Sequence, residues 1–124
     1  ITPAVTLPMP MLAAARKELE QIKVSAAVQE YLVDLAHASR KHHQVQLGLS
    51  TRGMLSLQEV SKAVAAICGR AYVTPDDIKH IAVDCMAHRM VARGSLWEEN
   101  YETCRRIVAE LLETVPVPKE SLWN

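Results

Sequence analysis

The stretch whose residue types and spacing point to chemistry is Leu47-Gly48-Leu49-Ser50-Thr51-Arg52-Gly53. It sets two hydroxyls, Ser50 and Thr51, at the start of a long segment of helical periodicity and places an arginine in the first turn. The free backbone N–H groups and the positive dipole end of a helix favour an anion at such a point. A guanidinium adds donors in a planar fork that matches phosphate. The chemistry would be recognition of a phosphate. Arg52 can equally cap the helix or pair with a carboxylate inside the fold, and spacing alone leaves both readings open.

Other chemistries lack their residues. The chain has four glycines, none in the frame G-x-x-x-x-G-K-S/T, so it cannot cradle a triphosphate by itself and is not read as an enzyme alone. Cys85 and His88 stand at i and i+3 on a helix without evident partner ligands, and no metal site is assigned. His42 and His43 close a helix and read as a solvated, weakly basic end. His37 is either exposed or a satisfied interface partner, and His80 belongs on the surface.

Composition bounds the setting. With 124 residues and 49% hydrophobic content, one domain with a buried core is expected. Fourteen basic residues balance fourteen acidic ones, so no bulk charge draws the chain to nucleic acid. Cys68, Cys85 and Cys104 are odd in number and lie in helical patterns, which suits a reduced, cytoplasmic setting better than a disulfide framework. No apolar run reaches the ~18 residues of a membrane span, and the start lacks the features of a signal peptide. The chain opens on Ile1, which reads as a piece of a longer protein.

The elements that must position Arg52 read as helices. Residues 1–10, with Pro3, Pro8 and Pro10, form an extended entry segment or linker; residues 11–118 form the helical domain; residues 119–124 are a tail. A first helix from Met11 carries Leu12, Ala15, Leu19 and Ile22 on one face. Ser25 caps a second, with Val28, Leu32, Leu35 and Ser39 inward, running to about Lys41. The third carries Leu57, Val60, Val64, Ile67 and Cys68, ends at Gly69, and reads as the most buried. Thr74-Pro75-Asp76-Asp77 predicts a fourth with a capping box and an inner face of Ile78, Ile81, Ala82 and Cys85. Ser95 with Glu98 repeats that logic for a fifth, which carries Tyr101, Cys104, Val108, Leu111 and Leu112 and stops before Pro116. No strand is predicted; the fold class is all-α, a four- to five-helix bundle.

Three motifs carry a resemblance. Gly48-Leu49-Ser50-Thr51-Arg52-Gly53 matches a G-A-S-P-R-A element with departures at Leu49, Thr51 and Gly53. Ala63, Ala65, Gly69, Arg70, Tyr72, Val73, Pro75 and Asp77 match A-x-A-x-x-x-G-R-x-Y-V-x-P-x-D, and His88-Arg89 matches an H-R pair. In these the stretch from Val45 to Arg93 resembles the lid subdomain of MoxR-type AAA+ ATPases, and the flanking helices fit the same layout. The resemblance implies that Arg52 is the sensor 2 arginine, reaching the γ-phosphate of ATP, bound with Mg²⁺ on a separate N-terminal core. Ser50 and Thr51 lie near that phosphate. Arg70, His88 and Arg89 serve either packing within the lid or a subunit interface. The family also implies a homo-oligomer, usually a hexameric ring, that remodels protein clients.

Two alternatives stand beside it. A helical interaction module of histone-fold type shares a long central helix followed by a Tyr-Val-Thr-Pro-Asp-Asp turn, and would form a handshake dimer. The lid of another AAA+ branch, a chelatase or a helicase, shares the chemistry and differs in client.

Overall fold

A computed structural model of the chain describes residues 8–94 and 96–123. Helix α1 (Met9–Glu20) starts behind Pro8, with Pro10 in its first turn, and buries none of its residues. Helix α2 (Ala26–Lys41) starts where Ser25 accepts a hydrogen bond from the Val28 N–H at 3.2 Å, the expected cap. It buries Val28, Tyr31, Leu32, Leu35, Ala36 and Ser39, a stripe at helical spacing. Strand β1 (Val45–Leu47) leads to helix α3 (Thr51–Ile67), then to α4 (Pro75–Ala87), strand β2 (Val91–Ala92), α5 (Trp97–Thr114) and the short α6 (Glu120–Trp123). The centre of the bundle is α4, packed against α3 on one side and α5 on the other. Leu57, Ile78 and Ile107 are fully buried there, each contributing about 1.5–3 kcal/mol by its removal from water.

The all-helical expectation holds for the layers, with one correction. Val45 and Leu47 pair antiparallel with Ala92 and Val91, forming a two-stranded ribbon. Its few residues are too short for an alternating pattern to register, and its partners meet only once α3 and α4 have folded back on each other. Beside it the Arg93 N–H donates to the Gln44 carbonyl at 2.8 Å. A second tie joins the linkers before α2 and α4: Lys23 N–H to Ala71 O at 2.8 Å and Val73 N–H to Lys23 O at 2.9 Å.

Helix α3 departs from the expectation that it is the most buried. It buries Gly53, Leu57, Ser61 and Ala65, a stripe of mostly small residues, whereas Val60 is 40% and Ile67 85% exposed. Small side chains let α4 approach closely, so the contacting stripe lies one position round from the bulky apolar residues that dominate the periodicity. The helix ends as expected, with Gly69 at φ +79° and the Arg70 N–H returning to the Ala65 carbonyl at 2.9 Å.

At α4 both halves of the capping box are present between Thr74 and Asp77. The Ser95 cap expected for α5 lies outside the described residues. Leu96 holds the cap position without a side-chain bond, and Asn100 docks α5 instead, accepting from the Ala92 N–H at 2.8 Å and donating to the Met90 carbonyl at 3.0 Å. His42 corrects the reading of a solvated basic end. Its side chain is 8% exposed, with Nε2 3.6 Å from Glu110 of α5 and Nδ1 accepting from the Gln44 N–H at 3.1 Å. The turn into β1 folds the end of α2 against α5. His43 stacks on the outer face of His42 at 4.7 Å, while His37 and His80 are exposed.

Candidate functional site

The start of α3 is held from below by the last turns of α2. Leu49 is fully buried; its N–H donates to Ser39 Oγ at 2.9 Å and its carbonyl accepts from Arg40 Nε at 2.9 Å. Ser39 in turn donates to the Ala36 carbonyl at 2.7 Å, so its hydroxyl is used in both directions. Gly48 lies flush on that turn: a Cβ there would sit 2.7 Å from the Arg40 Cα. Only glycine allows this approach.

Above this base Ser50 caps the helix, accepting from the Gly53 N–H at 3.1 Å. Thr51 occupies the first helical position, the place where a proline is tolerated, so its presence there leaves the helix start where the motif puts it. The other two departures compensate each other. A Cβ on Gly53 would come 2.6 Å from Leu49 Cδ1 and 3.2 Å from Arg89 Cδ. Where the G-A-S-P-R-A element carries alanine at both positions, this chain has a larger residue at 49 and none beyond Cα at 53.

Ser50, Thr51 and Arg52 are all exposed at this helix start. Among the described residues, no ion pair or side-chain hydrogen bond engages the Arg52 guanidinium, and the first turn of α3 contains no acidic residue. The alternative that Arg52 pairs with a carboxylate in the bundle finds no partner there. The site is therefore a cationic, solvent-facing helix N-terminus with no anion of its own among the described residues.

Arg70 behaves differently. Its Nη2 binds Asp77 Oδ1, while Asp77 Oδ2 accepts from the Thr74 N–H at 2.8 Å. Asp77 is thus both capping residue and counter-ion, joining the end of α3 to the start of α4. Both residues belong to the motif, but their pairing depends on the left-handed turn at Gly69, which spacing does not reveal.

His88 and Arg89 diverge. His88 stacks on Tyr101 at 4.5 Å, and Arg105 lies over the same ring at 5.4 Å while bonding Asp84 at 2.7 Å. Arg89 is exposed and lays its stem against Gly53, one residue from Arg52. Next to it a cleft of about 410 Å³ between α3 and α4 is lined by Ser56, Val60, Asp84, Cys85, His88 and Arg89. Burial, and secondarily the Asp84 charge, pushes the Cys85 thiol up despite the opposing charge of Arg89. Among the described residues no group of three or more His, Cys, Asp or Glu is placed to hold a metal ion.

Residues 37–111 match the AAA lid domain family. The chain is 33% identical over 103 residues to YeaC, an uncharacterised protein of Bacillus subtilis, covering 83% of this chain and 32% of that one. It is 27% identical over 105 residues to the chaperone MoxR1 of Mycobacterium tuberculosis, covering 77% and 28%. With the protein MoxR of Paracoccus denitrificans the identity is 27% over 107 residues, covering 76% and 32%. Among solved structures, a candidate ATPase from Cytophaga hutchinsonii superposes with a TM-score of 0.74 at 29% identity, covering 86% of this chain and 34% of that one. The chain spans about a third of the length of the relatives it matches.

Proposed function

From the premise that the chain belongs to the AAA lid domain family and is a lid of the MoxR-like AAA+ ATPase type, we propose that Arg52 is its sensor 2 arginine, reaching the γ-phosphate of ATP held by a separate nucleotide-binding core. The observation that carries this reading is the Arg52 guanidinium itself: exposed, in the first turn of a 17-residue helix, with neither a first-turn acid nor an ion pair among the described residues. Those features fit a polyphosphate. Ser50 uses a lone pair for the cap, which leaves its proton for a phosphate oxygen, and Thr51 offers a second hydroxyl beside it. Bound ATP supplies the charge that draws the lid onto the core. Loss of the γ-phosphate removes the contact with Arg52, and the lid, being one packed body, swings as a unit. The acidic ligands of Mg²⁺ are assigned to the core.

The experiment is Arg52→Ala in the polypeptide carrying both lid and core. ATP turnover falls roughly 100-fold, the scale of losing one donor aimed at developing charge, while the thermal midpoint of the lid is unchanged. Unchanged turnover would overturn the sensor role. Upstream of Ile1 the coding sequence should contain a phosphate loop and an acidic Mg²⁺ ligand; a start codon directly before Ile1 would sink the reading.

The same reading makes the protein a subunit of a homo-oligomeric ring, hexameric in form, that couples ATP turnover to remodelling of protein clients. One relative is called a chaperone, which supports that direction. Of the three residues considered for a subunit interface, Arg70 is engaged by Asp77 and His88 stacks on Tyr101, leaving the exposed Arg89 for a neighbour. No helix among the described residues is long and apolar enough to cross a membrane. A cytoplasmic setting rests on the three free cysteines. The match over residues 37–111 favours the lid over the histone-fold alternative, and the MoxR relatives favour this branch over chelatases and helicases.

A further inference from the structure

We propose that Ser39 and Arg40, at the end of α2, are positioning residues for Arg52: they grip the two backbone polar groups of Leu49 and thereby set where the α3 N-terminus, and its arginine, is held during ATP turnover. The proposal rests on the reading of Arg52 as a phosphate contact.

Leu49 works as the bearing of this joint. Its N–H and C=O are both taken by α2, through Ser39 Oγ and Arg40 Nε at 2.9 Å each. Its side chain presses on α3 where Gly53 leaves room. Arg52 follows three residues later, on the first rigid turn, so a displacement of Leu49 carries directly to the guanidinium. Ser39 is fully buried and anchored to Ala36, which makes its hydroxyl a fixed point. Gly48 brings the loop against the Arg40 backbone, closing off a looser path. Helix α2 is itself braced by α5. The turn of α3 is therefore fixed to the body of the lid, as an arginine that must meet one phosphate requires; a misplacement of about 1 Å at a reacting group costs up to a hundredfold in rate.

The test uses the polypeptide with lid and core. Arg40→Met keeps the aliphatic stem beside Gly48 and removes the donor. Ser39→Ala removes the other grip, and Ser39→Thr retains a hydroxyl. Each of the first two should lower kcat about tenfold with KM for ATP within about twofold, and Ser39→Thr should restore most of the loss. In an Arg52→Ala background neither should lower turnover further, because both act through the arginine already removed. That non-additivity is a readout a merely structural role would not give. Arg40 is exposed, so its variant keeps the test valid if Ser39→Ala unfolds the lid. Losses that multiply with Arg52→Ala, or a wild-type kcat in Arg40→Met, overturn the clamp while leaving the Arg52 reading in place. Turnover unaffected by Arg52→Ala overturns that reading and the clamp with it.

Discussion

The starts of α3 and α4 are built on the same plan and differ in who supplies the negative charge. Each has a hydroxyl cap that accepts from the third residue of the helix, Ser50 in one and Thr74 in the other. At α4 the first turn contains Asp76 and Asp77, and Asp77 also neutralises Arg70. At α3 the first turn contains no acid and carries Arg52, which has no ion pair among the described residues. A helix N-terminus with its own carboxylate is complete, and its neighbouring arginine is structural. One that adds a second positive group is complete only with an anion from elsewhere. Two arginines near the two ends of one helix are thus separated by their partners rather than by their chemistry.

The largest effect expected from this contrast is the division between Arg52→Ala and Asp77→Ala. The first lowers ATP turnover roughly 100-fold and leaves stability alone. The second removes a cap and leaves the Arg70 guanidinium, two-thirds covered, without its counter-ion. It should cost the lid about 2–4 kcal/mol while leaving turnover per folded molecule near wild type. Urea denaturation beside an ATPase assay separates the two. If Asp77→Ala depresses turnover in proportion to Arg52→Ala, the two ends are not functionally distinct.

A smaller change should convert one end into the likeness of the other. Thr51→Glu places a carboxylate in the first turn of α3, next to Arg52 and at the positive end of the dipole. It should stabilise the lid by about 0.5 kcal/mol and nevertheless lower turnover, since its negative charge beside Arg52 repels the phosphate that the arginine is to meet. Thr51→Gln, which adds bulk without charge, should lower it far less. Equal losses in the two variants would assign the effect to size.

How far these ends were legible differs for physical reasons. Thr74, Pro75 and Asp77 are a local code, because capping depends on residues within one turn, and the structure reproduces it bond for bond. Ser50 at the start of α3 was legible on the same ground. The Arg70–Asp77 pair was not, although both residues stood out: it forms only because Gly69 turns the chain back on itself. Of the contact stripe of α3, Leu57 was legible, whereas Gly53, Ser61 and Ala65 were hidden because small residues that admit a close neighbour carry little hydrophobic weight. The β1–β2 ribbon joins residues more than forty positions apart, and the lack of a partner for Arg52 among the described residues is visible only once those residues are placed in space.

The smallest effect concerns how far the acidic end of α4 is felt. Tyr31 of α2 is 1% exposed, and its hydroxyl has no hydrogen-bond partner among the described residues. Burial, and secondarily the charge of Asp76, pushes its pKa from 10.0 up to about 12. Because the folded value lies above the unfolded one, ionisation is easier in the unfolded chain. The contribution of Tyr31 to stability is therefore complete below pH 10 and is lost as pH rises toward 12. Tyr31→Phe should be close to neutral at pH 7, since no bond is lost, and should reduce the alkaline destabilisation above pH 10. Asp76→Asn should move the tyrosinate absorbance transition of Tyr31 downward by less than burial moves it upward. A shift all the way to 10 would mean that the acids of α4 act on α2 more strongly than its burial does, and that the end of α4 is less self-contained than its capping box implies.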